Sequence, residues 1–194
     1  MFVVAGLGNP EPRYARNRHN AGFMVIEELA RRAGASLSGS RFDARAARAR
    51  VGRMEALLLQ PMTFMNRSGG PVGAATRFFK IDPTVELLVV HDELDLELGV
   101  IRIKKGGGTA GHNGLRSIAA SIGTPDFLRL RFGIGRPETG ISVTSHVLSD
   151  FSAEQERDLD DVIALAADAV ETVLNEGPLA AMNEFHSRKA AREQ

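Results

Sequence analysis

Residues able to do acid–base chemistry cluster at four places in the chain. Asn9, Tyr14, His19 and Asn20 follow the apolar run FVVAGLG (2–8), and Phe64, Met65 and Asn66 lie in PMTFMNRSG (61–69). Asp92 and Glu93 stand in HDELD after a run over 86–91, and His112 and Asn113 in the Gly-rich stretch KGGGTAGHNG. A histidine held by a carboxylate is a general-base unit, because the carboxylate fixes the imidazole tautomer and stabilises the imidazolium as a proton is taken. Carboxamides both donate and accept, so they can hold a carbonyl or stabilise an oxyanion without changing the charge of the histidine. No nucleophile accompanies them: the chain has no cysteine and no G-x-S-x-G elbow. A base without a nucleophile most simply activates water, which makes a hydrolase. Taken singly, each residue also has an ordinary structural role. His19 can pack near a helix start, Asp92 can sit in a turn, and Asn66 and Asn113 can cap helices.

Metal chemistry finds little support in the spacing. The five histidines form no H-x3-H or H-E-x-x-H pattern. No cofactor is expected. The Gly-rich stretch lacks the Lys-Ser/Thr of a P-loop, and reads either as a mobile connection or as backbone that approaches a phosphate.

Positioning these groups requires strands that end near one another. Residues 2–8, 54–60, 86–91, 99–105 and 127–135 read as strands, with a hairpin over 41–60 turning near Gly52. Helical spacing runs over 21–33, 66–80 (entered through Asn66 or Ser68), 111–123 and 153–176, and Gly177-Pro178 starts a last helix. Interleaved strands and helices predict an α/β protein, one domain over 1–194, with a mixed, twisted central sheet flanked by helices. The hairpin and the closeness of 86–91 to 99–105 are the reason to expect mixed strands. Ligands of such sheets sit beyond the carboxyl ends of strands.

A chain of 194 residues, 43% hydrophobic and 25% charged, fits a globular protein. Without cysteine, a membrane-length apolar run or a basic leader, a cytoplasmic location is expected. Net charge is zero but uneven: residues 99–136 carry seven Lys/Arg against Asp126 alone, and 150–176 nine acids against Arg157 alone. A local basic face can hold a phosphate backbone on a neutral protein. The charged last helices point to a monomer.

Six collinear pieces resemble the bacterial peptidyl-tRNA hydrolase family: GLGNP (6–10), YARNRHNAG (14–22), PMTFMNRSG (61–69), HDELDL (91–96), GHNGL (111–115) and RLRFGIGRP (129–137). The resemblance covers nearly the whole chain. It implies hydrolysis of the ester joining a peptide to the 3′ end of tRNA, with the CCA end and acceptor stem as partner. By position, His19 resembles the base, Asp92 the carboxylate that holds it, and Asn9 the residue separating N-blocked from free aminoacyl groups. Asn66 and Asn113 resemble carboxamides that position substrate and water. Tyr14 and Phe64 match residues lining the 3′-end and peptide site, and Lys104 and Arg131 residues gripping the acceptor-stem phosphate. One departure is visible: family members commonly have histidine and glycine where this chain has Thr109-Ala110. Two rivals remain, a non-catalytic RNA binder of the kind represented by a chloroplast splicing factor, and a peptidase or amidase.

Overall fold

A computed structural model describes residues 1–187. Seven strands form one sheet: β1 (Phe2–Gly6), β2 (Ser38–Ser40), β3 (Ala44–Val51), β4 (Met54–Pro61), β5 (Leu87–Glu93), β6 (Ile101–Lys105) and β7 (Leu128–Gly133). Their spatial order is β2-β3-β4-β1-β5-β7-β6. The central four, β4-β1-β5-β7, are parallel, and β2, β3 and β6 run antiparallel to their neighbours. The sheet is mixed as expected, but one expected reason was wrong. β6 does not pair with β5; β7 inserts between them, so the antiparallel partner of β6 comes later in the chain.

Helices α1 (Ala21–Arg32), α6 (Ala153–Glu176) and α7 (Pro178–Phe185) cover one face, and α2 (Gly69–Phe79) and α4 (Asn113–Ile122) the other. Short helices α3 (Pro83–Glu86) and α5 (Val143–Val147) lie in connections, with 3₁₀ turns at Pro12–Tyr14, Arg18–Asn20 and Met65–Arg67. Both faces of the central strands are buried, which is why β1 and β5 read as unbroken apolar runs. On β1, Val4 joins the α1/α6 core, while Val3 and Ala5 join the α2/α4 core. Among the described residues no helix is long and apolar enough to cross a membrane.

Several boundaries moved for physical reasons. β5 extends through His91 and Asp92 to Glu93, because these residues stay registered with Arg131, Phe132 and Gly133 of β7. α2 begins at Gly69 after the Met65–Arg67 turn, and neither Asn66 nor Ser68 caps it; the Ser68 hydroxyl donates back to the Met65 carbonyl instead. The cap of α4 is His112, not Asn113. α6 starts on a reciprocal capping box between Ser152 and Gln155.

The glycine pair Gly6 and Gly22 sets where the candidate base can sit. A β-carbon on Gly6 would lie 2.2 Å from the Gly22 carbonyl oxygen, and one on Gly22 would lie 2.3 Å from the Leu7 nitrogen and 2.5 Å from the Val90 oxygen. Only hydrogen fits at either place. The start of α1 therefore rests directly on the ends of β1 and β5, and the turn just before it carries His19 to the strand ends.

Candidate active site

His19 lies in the Arg18–Asn20 turn, and Asp92 near the end of β5. The His19 Nδ1 is 2.9 Å from both Asp92 carboxylate oxygens. Sequence reasoning expected one imidazole on this carboxylate, and the structure brings two. His112 Nε2 stands 3.0 Å from Asp92 Oδ1, one of the two oxygens that His19 also reaches. His112, in the GHNG stretch, is a functional residue that the sequence signals only by its position ahead of a helix start.

The tautomers follow from the bonds. His112 Nδ1 accepts the backbone N–H groups of Gly114 and Leu115, at 3.1 and 3.4 Å. A nitrogen that accepts carries no proton, so a neutral His112 holds its hydrogen on Nε2 and donates it to Asp92. His19 likewise donates from Nδ1, which leaves its Nε2 in the wall of the cleft without a hydrogen-bond partner among the described residues.

Asp92 is only 4% exposed, yet ionised. Burial raises its carboxyl, but the two imidazoles outweigh this by charge and hydrogen bonding and hold it well below the usual carboxylate range. Burial lowers the His19 imidazole, and the charge and hydrogen bond of Asp92 more than offset it, so His19 titrates above its ordinary 6.5. Behind them His91 donates from Nδ1 to the Asp92 backbone oxygen at 2.7 Å and packs edge-on against His112, with ring centroids 5.0 Å apart. Burial, then the neighbouring His112, pushes His91 down to about 3, so it stays neutral.

His19, Asp92 and His112 offer three ligand atoms within 4.8 Å of one another. The donor set does not suit a metal ion. A ligating His112 Nε2 would move the imidazole proton to Nδ1, where it would face the two backbone N–H groups of α4. The cluster is built to hold protons.

Asn9 is fixed from three sides. Asn20 bonds its backbone in both directions, accepting from the Asn9 N–H at 2.9 Å and donating to the Asn9 carbonyl at 3.0 Å. The Asn9 side-chain oxygen accepts the Met65 N–H at 2.9 Å. That bond orients the carboxamide, and its NH2 has no acceptor among the described residues and borders the cleft. Asn20, in the HNAG stretch, thus positions Asn9.

Asn9, His19, His91, Asp92 and His112 line one cleft of about 560 Å³. Phe64, Asn66 and Asn113 border it with exposed side chains, and Val143, Thr144, Val147 and Leu148 from α5 and its end form the opposite wall. The turn bearing His19 is tied to that wall: Arg18 bonds Ser149, the Asp150 carbonyl and Gln155, and Asn17 bonds Asp150.

Three predicted site residues lie outside the cleft lining. Tyr14 sits half-buried on the Pro12–Tyr14 turn with the Arg13 guanidinium 4.7 Å over its ring. Lys104 is exposed on β6. Arg131 on β7 donates from Nε to Glu93 at 2.8 Å, which compensates part of its charge. The basic strands are also less free than their composition suggests. Arg129 is buried, and its guanidinium holds the carbonyls of Gly107, Gly108 and Pro125 at 2.7 to 2.9 Å. The Gly-rich stretch is thereby pinned to β7 rather than left as a loose connection. Thr109 and Ala110 border the cleft, and Ala110 takes a positive φ of 47°, a conformation that favours glycine.

A protein-family model described as peptidyl-tRNA hydrolase matches residues 3–193. The chain belongs to the peptidyl-tRNA hydrolase family. Among its relatives, the peptidyl-tRNA hydrolase of Frankia alni is 49% identical over 96% of this chain and 94% of its own length. That of Rhodococcus opacus is 48% identical over 95% and 97%. The crystal structure of the family member from Acinetobacter baumannii matches at a TM-score of 0.91 and 41% identity, covering 98% of this chain and 97% of that one. The fold and the family expected from the six sequence pieces are therefore both found.

Proposed function

We propose that this chain hydrolyses peptidyl-tRNA by a single attack of water on the ester carbonyl. The observation that carries the mechanism is the double grip on Asp92, which fixes the proton of His19 on Nδ1 and turns Nε2 to the cleft. Neutral His19 takes a proton from the attacking water at Nε2. The imidazolium so formed is stabilised by the ionised Asp92, and His112 keeps that carboxylate in place. The leaving group is the ribose hydroxyl at the 3′ end of tRNA, which takes back a proton as the ester C–O bond breaks. The side chains of Asn66 and Asn113 and the backbone N–H of Asn113, the first residue of α4, are the donors available to the oxyanion. The other two N–H groups of that first turn are already held by His112.

Lys104 and the terminal nitrogens of Arg131 are suited to an acceptor-stem phosphate near the β6/β7 edge. Few contacts of this kind give weak, salt-dependent docking. Nothing in the comparisons supports a non-catalytic RNA binder, and such a binder has no use for an imidazole oriented by a buried carboxylate. A peptidase would lack a reason for the exposed basic edge.

The orientation of Asn9 gives selectivity a direction. Its free NH2 can donate to the carbonyl of an acylated amino group. The ammonium of a free aminoacyl-tRNA would set donor against donor there, with a desolvation cost. Comparing release of N-acetyl-aminoacyl and unblocked aminoacyl groups from tRNA tests this reading. Wild type is expected to turn over the blocked substrate only. Asn9→Ala should narrow the ratio of the two kcat/KM values by about tenfold, the worth of one hydrogen bond of this kind. An unchanged ratio would take Asn9 out of that role.

A further inference from the structure

The arginine-rich arm RFDARAAR at the opposite edge of the sheet is not used by the chemistry above. Arg41, ahead of β3, places its guanidinium 4.1 Å over the ring of Phe78 at the end of α2. Arg48, within β3, places its own 5.1 Å over Phe79. Phe42, Phe78 and Phe79 pack on one another with centroids 4.9 to 6.0 Å apart. Phe42 is buried and anchors the group to the α2/α4 core, while Phe78 stays 47% exposed. Among the described residues neither arginine has an acidic partner, and Asp43, the carboxylate between them in sequence, pairs with neither. Arg45, on the other face of β3, differs in pairing with Glu27 of α1.

The geometry points to a second contact for the tRNA body, made by Arg41, Arg48 and Phe78 and separate from the cleft. Planar cations stacked on an exposed aromatic ring offer charge to phosphates and a π-face to an unpaired base. An acidic protein segment would use the charge but has no need of the stacked ring. The contact lies on the same side of the sheet as Lys104, because the alternate residues Ile101 and Ile103 of β6 enter the α1/α6 core. In the strand order, β3 stands four positions from β7, about 19 Å at the usual strand spacing. One polyanion crossing the α2/α4 face can therefore reach both edges. The α6 side, with its acidic excess, repels it.

This rests on tRNA being the substrate, and binding of deacylated tRNA, followed by anisotropy across a range of KCl, tests it without requiring turnover. The Arg41→Gln, Arg48→Gln double variant is expected to bind several-fold more weakly at low salt. Its log Kd against log salt should be shallower by roughly 1.5, for two lost phosphate contacts. Phe78→Ser alone should weaken binding while leaving the salt slope unchanged, and Arg157→Gln, on α6, should do neither. Hydrolysis of a short N-acetyl-aminoacyl oligonucleotide ending in CCA should be unaffected in the double variant. Unaltered tRNA binding in that variant, an equal loss in Arg157→Gln, or an equal loss on the short substrate would overturn the proposal. Weakened binding by a chain that hydrolyses neither substrate would support this surface and sink the hydrolase reading instead.

Discussion

Replacing His19 by alanine is expected to lower kcat on N-acetyl-aminoacyl-tRNA by roughly 10²- to 10⁴-fold, the usual range for a positioned general base. KM should change little, since the phosphate contacts proposed for Lys104 and Arg131 stand apart from the cleft. The fold should survive. Asp92 keeps its bond to His112, and the His91 ring still supports His112 from behind. A thermal melt of the variant beside its steady-state kinetics separates lost chemistry from lost structure. A variant that keeps near-wild-type kcat would remove His19 from the proton transfer.

Asp92→Asn is expected to cost a similar factor, roughly 10²- to 10⁴-fold in kcat, for a reason specific to this site. A carboxylate can accept from two imidazole N–H groups at once, whereas a carboxamide offers one oxygen and one NH2. With its oxygen in the Oδ1 place, where His112 Nε2 donates, the NH2 takes the Oδ2 place and meets the His19 Nδ1–H donor against donor at 2.9 Å. His112 cannot yield, because Gly114 and Leu115 already donate to its Nδ1. His19 must therefore shift its proton from Nδ1 to Nε2, where the base lone pair is needed. The expected signature is loss of rate with the histidine present and the protein folded. Imidazole nitrogen chemical shifts should show the His19 tautomer inverted. Retained Nδ1 protonation with full activity would contradict the account.

Much of this architecture was legible in the residues. Buried parallel strands announce themselves as apolar runs, as in FVVAG and LLVV, and the long amphipathic stripe of α6 fixes its inward face. The partners of edge strands were not legible. β6 and β7 pair across more than twenty residues of chain, and nothing local to either says that β7 lies between β6 and β5. The polar ends of the strands named His19, Asp92, Asn9, Asn66 and Asn113, because only those types serve acid–base work or carbonyl recognition. His112 escaped because its two functions, capping α4 and donating to Asp92, exist only when both are folded together. Arg129 misled for the converse reason. Composition counts its charge as surface, while the fold uses its guanidinium to hold the carbonyls of the Gly-rich stretch.

The most direct test of a water-activating His19 held by Asp92 is the pH dependence of kcat/KM on N-acetyl-aminoacyl-tRNA between about pH 5 and 8. Protonation of His19 Nε2 removes the base, so activity must fall as pH drops through the His19 pKa. Burial lowers that pKa and the neighbouring Asp92 raises it further than burial lowers it, so the acidic limb should lie above the ordinary 6.5 and follow a single proton. A profile that stays flat across that range would contradict a histidine base at this site.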